Sequence, residues 1–236
     1  MKFKITDEMF AAYPYLRIGV VVGIGLQIDK HHPQLPQQAE DLRGRLIDVV
    51  GDQPLSGFAN ISAWRETYRS FGANPRKFKP TAEAFLSRIL KGKPFPTINT
   101  AVDAYLLAEI ETMLPIGGYD LKRLSGDVVL RRSPGEEPFV PLGSEGEEEY
   151  TSKGEIVYTD DERVLTRNWN FRDCEHAKIS EETTDIVLAC EAASQSIDSA
   201  DVQRTLEEIV TYESMFCGGE YRTWILDIEN RETTIA

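Results

Sequence analysis

Residues 99–103 read Asn-Thr-Ala-Val-Asp and residues 114–120 read Leu-Pro-Ile-Gly-Gly-Tyr-Asp, with a Leu- and Ala-rich run between them. Thr100 and Asp103 have the spacing of a capping box, which predicts a helix over about 100–113. Pro115 and the Gly117-Gly118 pair stop it. A helix start offers free backbone N–H groups, and a Gly-Gly turn lets backbone approach a ligand closely. A capped helix followed by a tight turn would explain the same residues without any ligand.

Upstream of this stretch the periodicity is helical. Leu42, Leu46 and Val49 predict a helix over 36–50. Ile61, Trp64, Tyr68 and Phe71 share one face of a helix over 60–71, with Asn60 as its cap. Phe85, Leu86, Ile89 and Leu90 do the same over 81–91, with Thr81 as cap and Gly92 as stop. Only residues 15–22, β-branched and apolar, read as a strand in this half. Downstream the pattern changes to short β-like runs at 127–132, 139–142, 155–159, 163–169, 185–190 and 223–227, interrupted by one helix over about 199–213. Residues 135–149 hold six glutamates and read as a surface hairpin or loop. Helices early and strands late predict an α+β fold. No linker or repeat divides residues 1–236, so one domain is expected.

With 41% hydrophobic and 28% charged residues, the chain has the composition of a soluble globular protein. The longest apolar run is too short to span a membrane, and the first residues do not read as a signal peptide, so a cytoplasmic protein is expected. Cys174, Cys190 and Cys217 are odd in number and lack ligand spacing, which predicts reduced thiols. No phosphate loop, dinucleotide fingerprint, nucleophile elbow or metal-ligand pattern is present, so neither a cofactor nor a metal is expected. The net charge of −13 argues against a general nucleic-acid binder, DNA included. The charge is uneven, however. Residues 65–93 carry eight cations, among them Arg65, Arg69, Arg76, Lys77 and Lys79, against two anions. They form either a local anion-binding face or the solvated side of two helices. The aromatic residues of those helices lie on the apolar stripe and are expected in the core.

A second dense segment is Thr166–Asp173, Thr-Arg-Asn-Trp-Asn-Phe-Arg-Asp. Alternation of Trp169 and Phe171 with Asn168, Asn170 and Arg172 predicts a strand with one apolar and one polar face. So many amide and guanidinium groups in eight residues mark it as a candidate site; an ordinary strand and turn is the plain alternative.

These segments, in this order, resemble the editing domain of the phenylalanyl-tRNA synthetase beta subunit. Asn99, Val102 and Asp103 match the start of that family's N-x-x-V-D motif, Glu111 and Pro115 follow at the family's interval, and Tyr119-Asp120 take its F-D positions. Thr183-Thr184 with Ile186–Ala192 resembles its T-x-x-I-x-L-E-x-A strand, with Glu191 at the glutamate. Trp64–Gly72, Leu114–Leu121 and Arg167–Asp173 resemble motifs of free-standing members of the family. The likeness is strongest over 60–195. It implies a three-layer α+β domain with a central mixed or antiparallel sheet flanked by helices, enclosing an amino-acid pocket. The implied activity is hydrolysis of the ester of a mischarged aminoacyl-tRNA, in trans and without cofactor. The alternatives are a module that binds an amino acid or aminoacyl-tRNA without hydrolysis, and a protein-interaction domain that keeps only the fold.

The resemblance also implies roles. Asn99, Asn170 and Glu191 would line the pocket with Gly117 and Tyr119, and Asp103, Asp120 and Trp169 would shape it. Arg167 or Arg172 would meet the terminal phosphate or carbonyl, or else pair with Asp173. Arg65, Arg69, Arg76, Lys77 and Lys79 would receive the acceptor stem. Gly117 departs from the family, whose motif has histidine there.

Overall fold

The computed structural model describes residues 1–144 and 146–236. Strand β1 (Lys2–Ile5), helix α1 (Asp7–Ala12) and strand β2 (Arg17–Ile24) precede the helices α2 (Leu35–Val50), α3 (Ala59–Ser70), α4 (Thr81–Leu90) and α5 (Thr100–Thr112). Strands β3 (Ile116–Asp120), β4 (Val128–Arg132), β5 (Pro138–Phe139), β6 (Glu149–Tyr150), β7 (Ile156–Thr159), β8 (Val164–Arg167), β9 (Arg172–Asp173) and β10 (Asp185–Ala192) follow. Helix α6 (Ser199–Cys217) and strands β11 (Glu220–Leu226) and β12 (Glu232–Thr234) complete the chain.

The α+β, three-layer expectation holds. The central sheet is antiparallel, in the order β11-β2-β10-β3, and a six-stranded sheet runs β12-β1-β4-β7-β8-β9, with β1 parallel to β4. Strand β2 shows how one sequence serves two layers. Val21 joins the core formed with the helices, whereas Ile18, Val20 and Val22 join the core between the two sheets. Gly19 faces α6; a Cβ there would lie 2.6 Å from Cys190 Sγ and 2.9 Å from Val202 and Leu206, so only glycine lets that helix settle on the sheet.

Helix α5 is buried nearly all round, because it is packed between the sheet and the other helices. The helices lie within a residue or two of their expected starts, but the caps differ. Asn99, not Thr100, caps α5: its side chain accepts from Val102 N at 3.0 Å and donates to Ile179 O at 3.1 Å. Asn60 lies inside α3 and donates to Thr112 O, tying that helix to the end of α5. Thr81 is the first residue of α4, and its hydroxyl donates to Asn170 O. At Asn60 and Thr81 a long-range carbonyl takes the side chain that would have capped, and sequence spacing does not reveal it. Gly92 does stop α4, in a left-handed conformation (φ 71°). The glutamate-rich segment forms a small ladder, β5 with β6, and its Glu145 lies outside the described residues.

The largest departure is in 166–173. The expected continuous strand stops at Arg167, and Asn168 (φ 47°) and Trp169 (φ 68°) turn through the left-handed region. Asparagine tolerates that region; for tryptophan it costs on the order of 1–3 kcal/mol. Surrounding contacts hold the turn. Trp169 N donates to Ile156 O at 2.7 Å, Asn168 N donates to Glu155 Oε1 at 3.1 Å, and the buried indole packs against Tyr13, Trp64 and Phe71.

Candidate functional site

Between the two sheets lies a cavity of about 40 Å³. Its origin can be read in the strand registers. Tyr158, Thr166 and Asp173 are successive cross-strand partners on β7, β8 and β9, and form a polar row on the six-stranded sheet. Gly117 and Ala189 are partners on β3 and β10 of the facing sheet. Two small residues opposite a polar row leave unfilled space. Glu191, Trp169, Asn170 and Thr81 close it.

The wall is a connected hydrogen-bond network. Tyr158 donates to Glu191 Oε1, and Asn170 Nδ2 donates to Glu191 Oε2 at 2.6 Å. Tyr68 of α3 donates to Asn170 Oδ1 at 2.7 Å, and Trp64 Nε1 donates to the Glu191 carbonyl at 3.3 Å. On the other side, Thr166 donates to Asp173 Oδ1 at 2.5 Å, so the Tyr119 hydroxyl, 2.6 Å away, donates to Thr166. Asp173 Oδ2 faces Gly117 across the cavity, 3.9 Å from where a Cβ would stand. The Trp169 Nε1–H is buried without a hydrogen-bond partner among the described residues.

Burial pushes the Glu191 carboxyl up to about 7. The charge of Asp173 adds to this, while the contacts from Tyr158, Asn170 and the Trp169 indole oppose it. Burial likewise raises Asp173 to about 6, against its bond from Thr166. Two carboxyls thus border one small space, burial moves both towards neutrality, and the charge of Asp173 adds to the rise of Glu191. Such a pair can take a proton from a bound water.

Of the residues singled out in the sequence, Gly117, Tyr119, Trp169, Asn170 and Glu191 meet at this cavity. Asn99 does not: its Oδ1 caps α5 by accepting from Val102 N, and its Nδ2 donates to Ile179 O. Asp103 accepts from Ile98 N at the same helix start, and burial raises its carboxyl to about 6. Asp120 accepts from Lys122 N and from Thr183 Oγ1, and so holds a turn. Glu111 meets Tyr212 of α6, away from the cavity. Thr166 and Asp173 entered only as the ends of the 166–173 candidate segment, and Tyr158, Tyr68 and Thr81 were not among the expected site residues. Tyr68 could have been, because its position in the Trp64–Gly72 segment matches a motif.

The expected RNA-binding cations divide. Arg65 is held by Glu83 at 2.7 Å with both side chains largely buried, which withdraws it from any partner. Arg167 is bidentate on Glu155 and also meets Glu149; Arg172 meets Glu149, and neither pairs with Asp173. Arg69, Arg76 and Lys77 are exposed and make no ion pair among the described residues.

The family model of the B3/4 domain matches residues 63–217, well over half of the chain. The chain belongs to the B3/4 domain family. The match spans every residue that lines the cavity of this B3/4 domain. No curated protein matches the sequence. Among solved structures, the chain is similar to an N-terminal fragment of the phenylalanyl-tRNA synthetase beta-subunit from Pyrococcus horikoshii, with a TM-score of 0.47 and 12% identity, covering 93% of this chain and 50% of that one. This B3/4 domain therefore spans half the length of that fragment. Among the described residues, no cluster of His, Cys, Asp or Glu is arranged to hold a metal, and no helix is long and apolar enough to cross a membrane.

Proposed function

We propose that this protein hydrolyses the ester of an aminoacyl-tRNA in the cavity between its sheets, acting in trans as an editing deacylase of the cytoplasm. The observation that carries the reading is that Glu191 and Asp173 both border one small cavity of about 40 Å³, enough for a water and a small group. An aminoacyl ester is already activated, so a positioned water and a polarised carbonyl suffice for its cleavage. The Asp173–Glu191 pair accepts a proton from the water as its oxygen attacks the ester carbon. The Trp169 Nε1–H, which lies near Glu191 but makes no hydrogen bond of ordinary geometry among the described residues, and the second hydrogen of Asn170 Nδ2 are donors for the developing oxyanion. The C–O bond to the ribose then breaks, and the ribose oxygen takes up a proton. Asp173, facing Gly117, supplies a titratable group where the family motif has histidine.

About 10–15 Å³ suffices for one water, so a cavity of about 40 Å³ holds water and a small side chain but not a phenol ring. This space favours a tRNA carrying a small amino acid as substrate. A deacylation screen over charged tRNAs tests this. Release of glycine, alanine or serine is expected at rates well above that of tyrosine, rising with pH between about 6 and 7 as the pair deprotonates. Stoichiometric binding with no release from any charged tRNA would instead establish a binding module, the reading that the missing histidine favours.

A further inference from the structure

The four-residue turn that builds the cavity also builds a second space. Trp169 and Asn170 face the cavity, whereas their neighbours Asn168 and Phe171 face a separate cleft of about 490 Å³ on the far side of the turn. This cleft differs in character from the cavity. Four cations line it (Arg132, Lys153, Arg167 and Arg172) with two carboxylates, Glu149 and Glu155, in a chain whose net charge is −13. Three half-buried aromatic rings line it too. Phe78 and Phe171 meet edge to face with centroids 5.2 Å apart, and Lys77 Nζ sits 5.1 Å from the Phe78 centroid.

Glu149 marks an oxyanion position in this cleft. Its Oε2 accepts from Arg167 Nη1 at 2.8 Å and its Oε1 from Arg172 Nη1 at 3.0 Å. The two arginines are not equivalent. Arg167 is fixed by Glu155, whose side chain is 4% exposed, and stays in place without Glu149. Arg172 and Glu149 are both 42% exposed, and an ion pair that open to water contributes little. A phosphate, which guanidinium groups bind as a matched fork, can displace that carboxylate at small cost. An oxyanion seat beside partly exposed rings has the two elements that a nucleotide needs, charge for the phosphate and a face for the base.

We infer that this cleft binds a nucleoside phosphate, its phosphate replacing the Glu149 carboxylate between Arg167 and Arg172 and its base lying against Phe78 and Phe171. The inference rests on the aminoacyl-tRNA reading for its biological ligand, which would be the 3′-terminal nucleotide of the tRNA. The turn at 168–171 would then present base and ester to opposite sides of itself. The test needs no ester, so it can fail while deacylation stands, and deacylation can fail while it stands.

Equilibrium binding of adenosine 5′-monophosphate, ribose 5-phosphate and inorganic phosphate to the intact protein at fixed low salt is the measurement. Adenosine monophosphate is expected to bind about tenfold or more tightly than ribose 5-phosphate, the difference being the stacked base. Phe171→Ala should bring the two to parity, and Arg172→Ala should weaken both. Glu149→Gln should strengthen both several-fold, a gain that a damaged fold cannot produce. Equal binding of adenosine monophosphate and inorganic phosphate would reduce the cleft to an anion site and overturn the inference. So would no binding at all, or binding that Glu149→Gln leaves unchanged or weakens.

Discussion

Two parts of this molecule bury carboxyls, and they bury them differently. At the cavity, Glu191 and Asp173 are hydrogen-bonded to Tyr158, Asn170 and Thr166 and border an unfilled space. In the helical layer, Glu109 of α5 and Glu213 of α6 are fully buried, and none of their carboxyl oxygens has a hydrogen-bond partner among the described residues. Burial raises both of these well above the usual carboxylate range. Depth alone therefore does not make a site. Partners that orient the group and a space that admits a reactant separate the first pair from the second.

The strongest way to break that comparison is to remove the cavity carboxyls. Glu191→Ala and Asn170→Ala should each lower deacylation about 100-fold or more, the scale of a lost general base or its positioning partner, with the fold retained by circular dichroism. Full activity in both would remove the cavity from the chemistry. Asp173→Asn sharpens the result. The charge of Asp173 helps raise Glu191, so its loss should move the pH midpoint of the residual activity downward. An unmoved midpoint would mean that the two groups do not act together.

Adjacent glycines give a second contrast. A Cβ on Gly118 would lie 2.3 Å from Val187 O and 2.4 Å from Leu188 Cδ2, so Gly118→Ala should cost roughly 3 kcal/mol in denaturant unfolding. A Cβ on Gly117 meets nothing nearer than 3.9 Å because it enters the cavity. Gly117→Ala should leave stability within about 1 kcal/mol of the parent while displacing the water, cutting deacylation tenfold or more. If both variants behave alike, the space beside Gly117 has no catalytic use.

This contrast also shows what the sequence could and could not reveal. The α+β class was legible because it follows from periodicity, with helical stripes at 36–50, 60–71 and 81–91 and the β-branched run of β2; the three layers were legible only through the family resemblance. Gly117, Tyr119, Trp169, Asn170 and Glu191 were legible through motif. Asp173 was legible only as the last residue of the 166–173 segment and not as a cavity residue, because it reaches the site by cross-strand register with Thr166 and Tyr158, and register is set by the turn at Asn168 and Trp169. A left-handed tryptophan has no sequence signature. The absence of Asn99 from the cavity lining has the same cause in reverse. A buried asparagine at a helix start can face a ligand or cap the helix, and only the position of the Ile179 carbonyl decides.

The smallest expected effect belongs to the carboxyls that are not part of the site. Glu213 has an ordinary value of 4.5 in the unfolded chain and a value raised by burial in the fold. The folded form then holds a proton that the unfolded form releases above about 4.5. The stability linked to this group is complete below that pH and is lost as pH rises towards the folded value, by up to about 1.4 kcal/mol per pH unit. Glu213→Gln carries no titrating proton. It should flatten the decline of unfolding free energy above about pH 5 while leaving deacylation unchanged. An identical slope in parent and variant would mean that Glu213 finds a partner or water on ionising. Loss of activity in Glu213→Gln would be more serious, because it would couple the helical layer to the cavity and end the distinction between a buried acid and a working one.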